Sequence, residues 1–482
     1  MGKECPAGAV PRASDEEEPV SAAQVPASIF RAYDIRGVVS ETLDAEVARW
    51  IGRAVGSEAR EQGVARLVVG RDGRHASAEL AAAVAAGMTE AGCDAIDIGQ
   101  APTPVMYFAT HELETGSGVA ITGSHNPPAY NGMKVMVAGD TLSGAAITGL
   151  YERIRDGRLA EGSGQVVQRT DIVDRYIERI TGDIRPARRL RVVVDAGNGV
   201  AGAVAPRLLE ALGCEVEPLY CEVDGDFPNH HPDPAEPRNL EALIERVRAS
   251  GADLGLAFDG DGDRLGVVDA AGKVIWPDRQ LMLYARDVLR RRPGEPVVFD
   301  VKCSMHLRRV IEAAGGEPRM SRTGHSLIKA TLQESGAPLA GEMSGHTFFA
   351  DRWYGFDDGL YTGARLVELL AADGRPSAEV FAELPEGVAT PELKVDIQEG
   401  EQGELMADLV AEGQRRFTDA TIHTIDGIRV EWPDGWGLIR ASNTTPVLVV
   451  RFEADDEAGL ARIRAAFEAL LGAVRPGLAI PG

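Results

Sequence analysis

Long hydrophobic runs are missing from this 482-residue chain. No apolar stretch approaches the roughly 18 to 20 residues that cross a bilayer, and none near the start resembles a secretory signal, so the expectation is a cytoplasmic protein with no membrane partner. The opening Met1-Gly2-Lys3-Glu4-Cys5-Pro6 lacks the Ser or Thr that myristoylation wants where Pro6 stands. Cysteine is sparse. Cys5, Cys93, Cys214, Cys221 and Cys303 are odd in number, scattered and without Cys-x-x-Cys spacing, which argues against a disulfide framework or a thiolate metal site and suits a reducing compartment. Basic residues are outnumbered, 50 against 74 acidic, and the net charge of -24 opposes non-specific binding to nucleic acid or anionic membrane. The same field repels a phosphorylated ligand, so any phosphate site has to be a locally basic pocket of Arg, Lys and His.

What is present is an ordinary globular composition, 44% hydrophobic and 26% charged, in a chain too long for one core. Residues 1–25, with Pro6, Pro11, Pro19 and the acidic run Asp15 to Glu18, show no helical or strand period and read as a disordered acidic tail. After it one pattern recurs three times: an apolar strand, a Gly/Asp-rich loop, and an Ala/Leu-rich helix closing on Gly. Leu67-Val68-Val69-Gly70 leads to Gly92, Val192-Val193-Val194-Asp195 to Gly213, and Val297-Val298-Phe299-Asp300 to Gly315. The repeats predict three related α/β domains, over 26–170, 171–273 and 274–385. Residues 386–482 predict a smaller α+β domain instead, with antiparallel strands and hairpin turns at Asp426-Gly427 and Asp434-Gly435.

Gly197-Asn198-Gly199-Val200-Ala201-Gly202 satisfies a dinucleotide-binding fingerprint, with Glu217 about twenty residues on. No residue set for hydride transfer accompanies it, and close packing in any α/β unit asks for the same glycines. Asp259-Gly260-Asp261-Gly262-Asp263-Arg264 sets three carboxylates at alternate positions between two apolar strands. Two like charges about 4 Å apart repel by roughly 4 kcal/mol at an effective dielectric near 20, so the cluster calls for a hard divalent cation. An EF-hand loop would need Gly at Arg264 and Glu at Ala270. Thr122-Gly123-Ser124-His125-Asn126-Pro127-Pro128 offers a serine in a proline-fixed loop, without the Gly-x-Ser-x-Gly elbow of acyl transfer. Read alone, it is equally a nucleophile loop or a structural turn. Gly341-Glu342-Met343-Ser344-Gly345-His346 suits hydrogen bonding to a polyol, and Arg440-Ala441-Ser442-Asn443-Thr444-Thr445-Pro446 suits a phosphate.

These four segments, in this order, resemble the α-D-phosphohexomutase superfamily and its bacterial phosphomannomutase/phosphoglucomutase branch. The likeness runs from Phe30-Arg31-Ala32-Tyr33-Asp34-Ile35-Arg36-Gly37 to the C-terminus. It implies three α/β domains with mixed sheets and a smaller C-terminal α+β domain around a central cleft: in order, phosphoserine, metal-binding, sugar-recognition and phosphate-binding domains. It further implies phosphorylation of Ser124, with Ser124, Asp259, Asp261 and Asp263 around Mg2+. Arg36, His125, Lys134, Arg264 and His346 would surround the transferring group, with Lys134 and His346 handling protons. Tyr33, Lys302, His325, Glu342 and Ser344 would meet the sugar, while Arg440, Ser442, Asn443 and Thr444 would hold its other phosphate. The implied reaction moves phosphate between C6 and C1 of mannose or glucose through a hexose 1,6-bisphosphate, on a monomeric enzyme. Glucosamine-phosphate mutase is the rival within the family, and Met343 favours the mannose/glucose branch. A metal-dependent sugar phosphatase and a non-catalytic sugar-phosphate sensor are the rivals outside it.

Overall fold

The computed structural model describes residues 24–442 and 445–481. Asn443 and Thr444, two of the expected phosphate-binding residues, lie outside the described residues, as do residues 1–23 of the expected tail. Val25, assigned to that tail, is 4% exposed and shares a core with Ile29, Ile35 and Val47. An apolar side chain next to Pro26 gains more from that core than from solvent.

The three expected strand-helix units form. Arg66–Arg71 leads to the helix Ser77–Glu90, Arg191–Asp195 to Ala205–Ala211, and Pro296–Asp300 to Met305–Ala313. Runs such as Val192-Val193-Val194 suit strands covered on both faces, and all three valines are fully buried.

Each unit builds its own mixed sheet. The first orders its strands as Ile35–Val38, Tyr130–Val137, Gly118–Ile121, Arg66–Arg71, Asp94–Gln100 and Val166–Gln168, with Asp140–Thr141 on the side of Tyr130–Val137. The second runs Val274–Ile275, Leu265–Asp269, Leu254–Phe258, Arg191–Asp195, Glu215–Leu219, and the third Glu317–Ser321, Pro296–Asp300, Leu339–Gly341, Thr347–Phe349. In every unit a strand that is parallel to the repeat's first strand is followed by an antiparallel partner. The three connections are residues 122–129, 259–264 and 342–346, so three of the chemical motifs occupy the same topological place in successive repeats.

These units share one apolar core, to which Val68 and Met106, Leu254 and Phe258, and Phe299 and Leu339 all belong. The C-terminal sheet is antiparallel throughout and has a separate core around Phe452 and Phe467. It docks on the third unit through Arg429, which lies 3.8 Å from the centre of the Trp436 ring and donates to the carbonyls of Val301 and Cys303. The hairpin expected at Asp434-Gly435 turns one residue earlier. Trp432 pairs with Gly435, leaving Pro433-Asp434 as the turn, because proline's fixed φ and missing N–H suit the first corner position. Among the described residues, no helix is long and apolar enough to cross a membrane.

Candidate active site

Loop 122–129 is held from beneath by Arg74, a buried residue paired with Asp72 at 3.2 Å. Its guanidinium donates to the carbonyls of Ser124 (2.8 Å), Asn126 (2.6 Å), Pro127 (2.7 Å) and Tyr130 (3.1 Å). Ser124 adopts φ +47°, a left-handed conformation costing a non-glycine residue about 1 kcal/mol or more. That turn brings Oγ to 3.1 Å from His125 Nδ1 and 3.2 Å from Asp259 Oδ2. Burial, followed by the positive charges of Arg264 and Arg36, holds His125 well below the usual imidazole range, so the ring is neutral. Arg36 reaches the same loop, donating to Asn126 Oδ1 at 2.5 Å while pairing with Asp34.

The acidic loop faces the serine loop across Gly260, where a Cβ would stand 2.2 Å from the Ser124 carbonyl oxygen. Asp259, Asp261 and Asp263 are fully buried, and each turns a carboxylate oxygen within 4.8 Å of the others'. Lys134 Nζ lies 2.8 Å from Asp261 Oδ2 and also contacts Asp263. Burial by itself would push Lys134 down, but the two carboxylates outweigh it and raise the ammonium well above its usual range. Burial would likewise push Asp261 up; Lys134 and the Thr103 hydroxyl, at 2.6 Å, bring it below the carboxylate range instead. Asp259 moves the other way, raised by burial and then by its two acidic neighbours. Asp261 Oδ1 and Asp263 Oδ1 are buried with no hydrogen-bond partner among the described residues. Converging, unsatisfied carboxylate oxygens are the ligand set of a hard divalent cation, so the residues fit a metal site.

Arg264 closes the acidic loop and meets the third motif: its Nε donates to His346 Nε2 at 3.0 Å, and the two residues form a backbone bridge. In the same loop Glu342 Oε1 accepts from Gly324 N at 2.6 Å, and burial raises its pKa. His325 follows Gly324, with its ring centre 5.5 Å from that of His346 and 6.1 Å from that of Tyr33, whose hydroxyl donates to the Thr323 carbonyl. Lys302 pairs with Glu392 at 2.7 Å. Arg440 pairs through Nε with Asp426 at 3.0 Å, and the same Asp426 oxygen accepts from Thr323 N, which ties the C-terminal loop to the sugar-loop neighbourhood. The remaining motif residues are less convergent. Ser344 lines a small crevice with Pro234, Leu265 and Trp276, and Ser442 accepts from Thr445 within its own loop.

Residues 27–161, 174–272 and 276–388 match the phosphoglucomutase/phosphomannomutase alpha/beta/alpha domains I, II and III, and 392–470 match the C-terminal domain of the same group. The chain belongs to the phosphoglucomutase/phosphomannomutase family. It is 55% identical over 457 residues to the phosphomannomutase/phosphoglucomutase of Pseudomonas aeruginosa, covering 95% of this chain and 98% of that one. A phosphoglucomutase of Neisseria gonorrhoeae is 51% identical, covering 93% and 98%. The crystal structure of a phosphoglucomutase/phosphomannomutase family protein from Burkholderia thailandensis superposes with a TM-score of 0.91 at 54% identity, covering 95% of this chain and all of that one. Membership in this family makes the chain a mutase, a phosphotransferase with a phosphohexomutase fold.

Within this mutase the glycine fingerprint at 197–202 is a packing device. Val200 N donates to the Gly260 carbonyl, and a Cβ on Gly202 would stand 2.2 Å from the Cys221 carbonyl oxygen. Sequence reasoning missed Arg74, Thr103, Asp357 and Asp426. Of these only Asp426 stands in a feature predicted above, the Asp426-Gly427 turn. The close approach at Gly260 carries a prediction. Gly260→Ala is expected to destabilise the fold by about 1–3 kcal/mol through overpacking and to depress turnover. Urea denaturation checks it; an unchanged midpoint with full activity would show that the two loops do not need this contact.

Proposed function

We propose that the mutase interconverts the 6- and 1-phosphates of mannose and glucose, with Ser124 as phosphoryl carrier, Mg2+ among the Asp259, Asp261 and Asp263 carboxylates, and a hexose 1,6-bisphosphate as intermediate. The observation that carries the reading is the meeting of Ser124 Oγ with a buried carboxylate triad and a ring of cations drawn from separate repeats. Bound magnesium would supply positive charge to offset that of a transferring phosphoryl group.

The protein's own groups divide the remaining work. Phosphoryl transfer breaks the bond from Ser124 Oγ to phosphorus as a new one forms to the free sugar hydroxyl. Lys134, kept protonated by Asp261 and Asp263, gives a proton to Oγ as the phosphoryl group leaves and takes it back when the second phosphate returns to Ser124. His346 is left to take the hydroxyl proton. The bisphosphate then turns over, and its second phosphate returns to Ser124. Arg440 serves as clamp for the distal phosphate, since Nε is held by Asp426 while Nη2 is buried and has no partner among the described residues. Tyr33, Lys302, His325, Glu342 and Ser344 read the sugar in this scheme, and Ser442, Asn443 and Thr444 complete the phosphate loop. A cytoplasmic setting fits the free thiols of Cys93, Cys214, Cys221 and Cys303.

Phosphorus NMR tests the reaction with mannose 1-phosphate, glucose 1-phosphate and glucosamine 1-phosphate, catalytic bisphosphate and magnesium. The first two should give C6 phosphomonoesters with no inorganic phosphate. Phosphate release would point to a phosphatase, and turnover of glucosamine phosphate alone to the other branch. Glu342 is assigned to hydroxyls common to mannose and glucose, so the two kcat/KM values are expected to differ by less than about tenfold, or roughly 1.4 kcal/mol. Glu342→Gln should lower both alike, and steady-state kinetics on the two sugars check it. Impairment of only one would mean that Glu342 reads C2.

A further inference from the structure

Asp357 lies outside every motif, between the strand Thr347–Phe349 and the helix Gly359–Asp373, and its backbone bridges to Phe348. Its carboxylate is fully buried. One oxygen, Oδ1, accepts from Lys329 Nζ at 2.9 Å, and that ammonium sits 4.2 Å from the centre of the Tyr107 ring. The other, Oδ2, lies 3.1 Å from His346 Nδ1, and among the described residues neither of these two buried atoms has a hydrogen-bond partner, so this close approach is the polar contact open to both. A second carboxylate approaches the same nitrogen, Asp263 Oδ1 at 3.6 Å, and the other oxygen of Asp263 is taken by Lys134.

The contact on the other side of the ring reveals which tautomer is present. A guanidinium carries hydrogen on every nitrogen and offers no acceptor, so the contact from Arg264 Nε requires the lone pair of a neutral imidazole at Nε2. The ring proton must then be on Nδ1, facing Asp357. Burial opposes the ionised form of Asp357, but Lys329 and His346 overcome it and hold the carboxyl well below its usual range, so an acceptor is present.

We propose that Asp357, itself anchored by Lys329, is a positioning residue for His346: it fixes the Nδ1–H tautomer and the plane of the ring, so that the Nε2 lone pair faces Arg264 and the reacting group. The inference rests on the reading of His346 as the proton acceptor of the proposed reaction. Asp263 and Arg264 place the ring between two charges, and without Asp357 the acidic group left beside Nδ1 is Asp263 Oδ1 at 3.6 Å, beyond good hydrogen-bond reach.

The test combines a tautomer measurement with kinetics on the full-length enzyme. In Asp357→Asn the Lys329 ammonium retains the amide oxygen, which turns the amide N–H toward His346 and moves the ring proton to Nε2, breaking the contact from Arg264 Nε. Nitrogen-15 NMR of histidine-labelled protein should show His346 protonated at Nδ1 in the wild type and at Nε2 in the variant. An amide that presents the wrong tautomer can cost a catalytic imidazole as much as about 10^4 in rate. Here kcat should fall by at least about 100-fold, with KM changed by less than about threefold. Asp357→Asn leaves a buried ammonium without its counter-charge, so the double variant Asp357→Leu/Lys329→Met, which removes both charges together, separates folding from positioning. It should recover the wild-type melting temperature and keep the low kcat. The proposal is overturned if the tautomer is unchanged in Asp357→Asn, or if kcat returns to wild type in the double variant. Absence of any mutase turnover in the wild type would count against the proposed reaction, and the NMR measurement would still decide the pairing.

Discussion

Ser124→Ala is expected to lower turnover by at least about 10^4-fold while melting close to the wild-type temperature. The loop owes its shape to Arg74, whose four hydrogen bonds go to backbone carbonyls, including that of Ser124 itself. None involves the hydroxyl. What the substitution removes is Oγ, with its contacts to His125 and Asp259, and a hydrogen bond of this kind contributes only about 1 kcal/mol to stability. The chemistry has no comparable reserve, because Oγ is the proposed acceptor and donor of the phosphoryl group in both half-reactions. Intact-mass measurement should find one phosphate on active wild-type enzyme and none on the variant. Near wild-type activity in Ser124→Ala would remove the carrier role altogether.

Asp261→Asn is expected to lower activity by at least about 100-fold and to abolish the stabilisation that magnesium gives. Bound metal at 100 times its Kd should add about 2.7 kcal/mol to wild-type stability. The metal-free protein carries a further signature. Burial and the neighbouring carboxylates raise Asp259 above its unfolded value, so the folded state binds a proton the unfolded state gives up. Stability of the chelated protein therefore falls as pH rises above the ordinary carboxylate range, near about 4, toward the raised value. Saturating magnesium should flatten that fall, since the cation replaces the proton. Calorimetry with chelator and with magnesium, on wild type and Asp261→Asn, checks both halves. A wild-type melting temperature indifferent to magnesium would contradict the assignment of the triad.

The four motif loops were legible because each concentrates its chemistry in a few consecutive residues, and the repeats were legible because buried parallel strands leave unbroken apolar runs. The equivalence of loops 122–129, 259–264 and 342–346 was not legible. It depends on which strands pair antiparallel, and the serine, acidic and sugar loops share no sequence pattern. Arg74, Thr103 and Asp357 escaped for a related reason. Thr103 matters through Asp261, 158 positions away, and Arg74 through carbonyls about fifty residues on. A threonine between two prolines, or a second aspartate before a helix, announces neither partner. Lys134 was recognisable as a site residue, but its tie to Asp261 and Asp263, which favours the charged ammonium, shows only in three dimensions. At the chain's ends the errors were small and physical: Val25 prefers a core to a tail, and Pro433 takes the turn corner one position before the Asp-Gly pair.

The measurement that bears most directly on the account is a single-turnover experiment with enzyme carrying radiolabelled phosphate on Ser124, mixed with unlabelled mannose 6-phosphate and magnesium. The account predicts that the label leaves the protein at the rate of turnover and appears first in a hexose bisphosphate, then in mannose 1-phosphate, with none as inorganic phosphate. Label that stays on the protein while product accumulates, or that is released as inorganic phosphate, would contradict it.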